Sequence, residues 1–247
     1  MFIVAEVKLL IDQGNTRLKW VMARDGGIEE STAAHGDLEK LIRTFQNDVP
    51  GAPDSVLISS VAGQEDGQAL CRFCQSRWGI EAQMLQSTRE RGGVRNAYPE
   101  PAKLGVDRWL AIVGAVTRYG TPVVIWDLGT ATTLDAVDQT GQHLGGMILP
   151  GPATMLCALD RDTKLRVPHD LQNAAVNPGR STLSCIGNGV FSAQVGALNQ
   201  FLRNVSEDMD GEPKLLVTGG AAGWILPMLD FDHIHDPWLV FRGMLVG

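Results

Sequence analysis

The chain has 247 residues, 44% of them hydrophobic and 20% charged. These proportions exclude disordered and fibrous classes and leave ample length for a sizeable core. Lys and Arg number 21 against 28 Asp and Glu, a net charge of −7, which argues against nucleic acid or an anionic membrane as partner. An anionic substrate must then be drawn by a few local groups and bound cations. The longest apolar runs, 109–116 and 219–226, are eight residues each, against about 18 needed to span a bilayer. Met1–Glu6 lacks the basic segment of a signal peptide, so a soluble, cytoplasmic protein is expected.

Strands and helices alternate along the chain. Val7–Ile11 is a short apolar run, and Arg17–Ala23 alternates polar and apolar before an Asp25-Gly26-Gly27 turn. The spacing predicts helices over Asp37–Phe45 and Gln68–Trp78, with strands at Ser55–Ser60 and near Ile80–Leu85. Residues Ser87 to Pro101, rich in Arg, Gly, Asn and Pro, read as a loop, and Leu104–Tyr119 as a helix with a strongly apolar face. After Gly120-Thr121-Pro122 the pattern restarts. Strands are expected at Val123–Trp126, Thr132–Val137 and Leu144–Leu149, helices at Thr154–Leu159 and Thr182–Val205. Strand Lys214–Val217 and a terminal helical segment complete the pattern.

The four cysteines, Cys71, Cys74, Cys157 and Cys185, are too scattered for a disulfide framework. Cys71 and Cys74 have C-x-x-C spacing but lie in a helical pattern with no second ligand pair, and read as helix-face residues. The five histidines form no ligand pattern and read as solvated or structural.

Residues 12–20 read DQGNTRLKW and residues 127–135 read DLGTATTLD. Asp12 matches Asp127, Gly14 matches Gly129 and Asn15 matches Thr130, each pair 115 residues apart. Each copy follows an apolar strand and precedes another, the mark of a duplicated α/β unit facing itself across a cleft. Such a turn suits phosphate. Glycine lets backbone N–H groups approach phosphate oxygens, Asn15, Thr16 and Thr130 donate hydrogen bonds, and Lys19 adds a positive charge. The aspartates repel phosphate directly, so a bridging cation is their expected use. There is no Walker A or kinase-type Gly-rich loop.

Paired phosphate hairpins in two halves resemble the superfamily of acetate and sugar kinases, actin and heat-shock chaperone ATPases. Within it the chain closely resembles type III pantothenate kinase. The resemblance rests on DQGNTRLKW, GVRNAYPEPAKLGVDRW at 93–109, DLGTATTLD, GGMILPG at 145–151, STLSCIGNG at 181–189 and TGGAA at 218–222. It implies two actin-like, ribonuclease H-like halves, residues 1–119 and 120–247, each with a mixed sheet flanked by helices. It also implies ATP-dependent phosphorylation of pantothenate to 4′-phosphopantothenate, the first step of coenzyme A synthesis. The alternatives are another small-molecule kinase or phosphatase of the superfamily, or a non-catalytic regulator like the related Bvg accessory factors.

The resemblance also implies roles by position. Asp107 is the general base, and by its residues alone it could equally be an acidic group stabilising a helix N-terminus. The ATP contacts are Asp12, Gln13, Gly14, Asn15, Thr16, Arg17, Leu18 and Lys19, with Thr130 from the second hairpin. Pantothenate contacts are Tyr98, Gly105, Val106, Asp107, Arg108 and Thr182, where Ser181-Thr182 also reads as a helix N-cap. Asp127 matches a monovalent-cation ligand, for potassium or ammonium, and Mg2+ accompanies ATP. A homodimer is implied, with the site completed by the second subunit. Gly219-Gly220 reads equally as a nucleotide-side loop or a strand-to-helix turn.

Overall fold

Leu9, Leu10 and Ile11 are fully buried in β1 (Val7–Gln13), so the middle of this strand reads as a continuous apolar run because both its faces are covered there. It pairs antiparallel with β2 (Leu18–Arg24), and Asp25 and Gly26, with φ of 51° and 76°, turn the chain into β3 (Gly27–Gly36). Two successive positive φ values match the twist of a hairpin, which is why Asp-Gly stands there. The computed structural model describes residues 6–14, 18–37, 39–40, 43, 52–168, 170–171, 174–175 and 177–247. Of the helix expected over 37–45, Glu39, Lys40 and Arg43 are described and helical, and the Lys40 N–H donates to the Asp37 carboxylate at 2.7 Å.

Strand β4 (Ser55–Ser60) runs parallel to β1, and β5 (Gln83–Met84) parallel to β4, so the first sheet has the order β3-β2-β1-β4-β5. Between them α1 (Gln64–Trp78) starts four residues before its expected beginning, with Glu65 and Asp66 in its first turn, where the helix dipole favours negative charge. The expected loop 87–101 holds two short strands, β6 (Glu90–Arg91) and β7 (Val94–Arg95). A single 3-10 turn, Pro101–Lys103, leads into α2 (Val106–Tyr119).

The second sheet repeats the first. Strands β8 (Val123–Leu128), β9 (Ala131–Val137) and β10 (His143–Pro150) are antiparallel neighbours. After α3 (Pro152–Asp162) and α4 (Thr182–Val205), β11 (Lys214–Thr218) lies parallel to β8. Helix α5 (Ala222–Ile225) follows, and β12 (Ile234–His235) lies parallel to β11. The order β10-β9-β8-β11-β12 matches the first sheet strand for strand and direction for direction. The terminal stretch expected to be helical therefore contains a strand, before α6 (Leu239–Met244).

The chain divides into two units, Met1–Gly92 with Tyr98–Arg118 and Leu239–Gly247, and Gly93–Ala97 with Tyr119–Trp238. Leu9, Ile11, Leu18, Trp20, Val56, Ile58, Leu70 and Cys74 form a core in the first, and Cys74 has its thiol pushed up to about 12 by burial, which leaves it inert. The second unit's core joins Trp126, Leu134, Phe191, Leu198 and Val217. Among the described residues no helix is long and apolar enough to cross a membrane.

The last helix, α6, packs in the first unit against β1 and α2. A Cβ at Gly243 would collide with the Leu110 carbonyl, and one at Gly114 with the Leu239 carbonyl. Two glycines thus let two helices touch backbone to backbone. Gly243→Ala is expected to cost about 1–3 kcal/mol, the usual range for overpacking, read as a lowered melting temperature. A variant that melts with the wild type would show that the helices part without cost.

Candidate active site

Asp12 closes β1 beside Lys19 on β2 and Ser59 on β4. The residue is 8% exposed, and the Ser59 hydroxyl donates to its Oδ1 at 3.1 Å. Burial raises the Asp12 pKa from 3.8 to about 6, opposed by Lys19 and the Ser59 hydrogen bond and reinforced by the negative charge of Asp107. Removing a carboxylate from water penalises its charged form, and a second carboxylate nearby adds to the penalty. Beside it, Gln13 accepts a hydrogen bond from the Ser60 hydroxyl at 2.9 Å. The carboxyl end of β4 thus holds the first hairpin through two serines, a location typical of ligand sites in α/β sheets. Ser59 and Ser60 carried no signal in the sequence beyond their place at the end of a buried strand.

Gly14 is half-buried and follows Gln13 directly, while Asn15, Thr16 and Arg17 lie outside the described residues. Leu18 turns its side chain into the core, at 4% exposure, so any contact it makes with a ligand at the hairpin is through its backbone. Lys19 is half-buried opposite Asp12.

The Gly105-Val106-Asp107-Arg108 segment opens α2 in the same unit. The Trp109 N–H donates to the Gly105 carbonyl at 2.9 Å, which starts the helix. Asp107 stands in the first turn and its Oδ1 accepts the Arg108 N–H at 2.7 Å. A Cβ on Gly105 would come within 2.8 Å of that oxygen, so glycine keeps the carboxylate's flank open. Arg108 is only 8% exposed, and its Nη1 donates to the Tyr98 hydroxyl at 3.2 Å. Tyr98 is half-buried. The first unit therefore brings Tyr98, Gly105, Val106, Asp107 and Arg108 together, with Asp107 close enough to Asp12 to raise its pKa.

In the second unit Asp127 ends β8 opposite Thr133 on β9 and Thr218 on β11. Ser59 is register partner to Asp12 as Thr218 is to Asp127, so a hydroxyl residue stands at the same place in each sheet. Gly219 has a φ of 94°, and a Cβ there would collide with the Asp127 carboxylate, while one on Gly129 would stand 3.6 Å from it. The positive φ supports the turn reading of Gly219, and the same glycine packs against the Asp127 carboxylate. A carboxylate flanked by glycine backbone offers hard oxygen donors of the kind that suit a hard cation.

Thr130 is exposed at the second hairpin, and its carbonyl accepts from the Gly151 N–H at 3.0 Å and the Thr154 hydroxyl at 2.6 Å. The turn is thereby tied to the start of α3. Thr182 is exposed as the first residue of α4, and the cap itself is Ser181, in a reciprocal capping box with Ser184. Among the described residues no group of three or more His, Cys, Asp or Glu is placed to hold a metal.

The sequence profile of type III pantothenate kinase matches residues 8–204, a span that includes every residue named in this site apart from Thr218 and Gly219. The chain belongs to this family. A type III pantothenate kinase from Alcanivorax borkumensis is 34% identical over 96% of both chains. One from Azoarcus sp. is 36% identical over 96% of this chain and 89% of its own. Among solved structures, a Campylobacter jejuni protein described as a conserved Baf-family transcriptional activator has a TM-score of 0.60 at 20% identity, covering 96% of this chain and 94% of its own. The activator of 2-hydroxyisocaproyl-CoA dehydratase from Clostridium difficile, with bound ADPNP, has a TM-score of 0.53 at 11% identity, covering 98% and 92%. These two likenesses establish the fold, which is actin-like with two mixed sheets flanked by helices.

The raised pKa of Asp12 has a consequence for stability. A carboxyl group held above its unfolded value favours the fold while protonated, below about pH 3.8, and that contribution is lost as pH rises through about 6. Asp12→Asn keeps a side-chain oxygen for Ser59 and removes the charge. Without ligands it is expected to be about 2–3 kcal/mol more stable than wild type at pH 8 and nearly equal to it at pH 4. Melting temperatures at the two pH values check this, and a variant less stable at pH 8 would mean that the buried charge supports the fold.

Proposed function

We propose that the chain transfers the γ-phosphoryl group of ATP to the primary hydroxyl of pantothenate, giving 4′-phosphopantothenate and ADP, the first step of coenzyme A biosynthesis. Membership of the type III pantothenate kinase family carries this reading. It is supported by the joint placement of Asp12, Lys19, Asp107, Arg108 and Tyr98 in one unit. In the reaction the pantothenate hydroxyl oxygen bonds to the γ-phosphorus and the bond from that phosphorus to the β,γ-bridging oxygen breaks. The hydroxyl proton passes to a carboxylate oxygen of Asp107. The transition state is loose, so a base of ordinary strength suffices and its main task is to orient the nucleophile.

Arg108, a buried guanidinium braced on Tyr98, is suited to the substrate's carboxylate, with Gly105, Val106 and Thr182 as further contacts. The segment from Asp12 to Lys19 and Thr130 take the phosphates through backbone N–H groups, hydroxyls and the Lys19 ammonium. Mg2+ arrives with ATP, and its charge offsets that of the triphosphate. Asp127 is the residue to hold potassium or ammonium, which would reduce repulsion between carboxylate and phosphate. Two copies of the chain form the working enzyme, the second subunit completing the site.

Asp107→Asn is expected to lower turnover by about 10²–10⁴-fold, the range for loss of a general base, and to leave ATP affinity nearly intact. Turnover near wild type would remove Asp107 from that role. Asp127→Ala is expected to abolish activation by potassium, measured as the ratio of rates in potassium and sodium buffers. An unchanged ratio would place the cation elsewhere.

A further inference from the structure

Ser87, Arg89 and Arg91 stand two residues apart on the segment that precedes the substrate loop, and all three donate to backbone carbonyls of the first unit. The Ser87 hydroxyl, buried, donates to the Leu104 carbonyl at 2.7 Å, one residue before Gly105. Arg91 reaches the carbonyl of Val246, just beyond α6, at 2.5 Å through Nη2 and at 3.1 Å through Nε, and that of Met244, the last residue of α6, at 3.4 Å through Nη2. Between them Arg89 donates through Nη1 to the Tyr98 carbonyl at 3.0 Å and through Nη2 to the Pro99 carbonyl at 2.6 Å. Ser87 and Arg91 thus fasten the two ends of the segment, and Arg89 reaches out from its middle to the loop.

Arg89 is exposed and builds no part of the core. Its planar fork fits two consecutive carbonyls that no single ammonium could bridge with the same fixed geometry. These belong to Tyr98, whose hydroxyl accepts from Arg108, and to the proline after it. A proline cannot donate to a neighbouring strand, so the loop at 98–99 gains its tether from its carbonyls. We infer that Arg89 is a positioning residue for pantothenate, fixing the backbone at Tyr98 and Pro99 so that Tyr98 and Arg108 present one geometry to the substrate. The inference rests on the reading of Tyr98 as a pantothenate contact.

The test is steady-state kinetics of Arg89→Ala, Arg89→Lys, Tyr98→Ala and the Arg89→Ala/Tyr98→Ala double variant, with melting temperatures for each. Arg89→Ala is expected to raise the pantothenate KM about five- to tenfold, the size of losing charged hydrogen bonds at an exposed site. The ATP KM, kcat and melting temperature should stay within twofold or a few degrees of wild type, and Arg89→Lys should recover part of the loss. Because Arg89 acts through Tyr98, the double variant should be no worse than Tyr98→Ala alone. If Tyr98→Ala raises the pantothenate KM and Arg89→Ala does not, Arg89 has no positioning role and the reading of Tyr98 stands. Independent, multiplying effects in the double variant would mean that Arg89 meets the substrate itself, and equal rises in both KM values would mean general loosening. Either result overturns the inference. A Tyr98→Ala variant with unchanged pantothenate KM would remove the contact on which it rests.

Discussion

The first unit is organised around a carboxylate that water does not stabilise. Asp12 is held at the end of β1 with a second carboxylate, Asp107, near enough to oppose its ionisation, and with one ammonium and one serine hydroxyl in compensation. A fold selected for stability alone would place an apolar or neutral residue there, as buried charges rarely repay their desolvation. A positive charge brought near would lower that penalty, as the proposed arrival of Mg-ATP would do.

The two sheets have the same strand order and the same directions, yet their hairpins have diverged in chemistry. The first sets a buried aspartate against Lys19 and Ser59. The second sets a half-buried aspartate among glycines, with Gly219 and Gly129 lining its flank. One backbone plan therefore carries two differently lined aspartates, one opposite a lysine and a serine and one beside glycine backbone. Tyr98 and the start of α2, in the first unit, carry most of the groups proposed to meet pantothenate, and Thr182 on α4 of the second unit is the exception.

Much of the fold was legible because burial shaped the sequence. Ser55–Ser60 and Thr182–Val205 have the expected boundaries, the first as a buried run between polar ends and the second with a capping serine and an apolar face. Strand β3 escaped because it is the edge of its sheet, paired on one side, and its Glu29-Glu30-Ser31-Thr32 run has no apolar alternation to read. Strand β12 escaped for a similar reason, being two residues at the opposite edge of the second sheet. At the site, motif residues were readable because glycine and aspartate recur at fixed spacing. Ser59, Gly219 and Arg89 act through register, close backbone approach and a tertiary tether, which only the folded chain displays.

The most direct measurement is ADP release from Mg-ATP by the purified protein, with and without pantothenate, in potassium and then in sodium buffer. Release that requires pantothenate and is faster in potassium is the expected result. ADP release indifferent to pantothenate, or no turnover in either buffer from well-folded protein, would contradict the assignment.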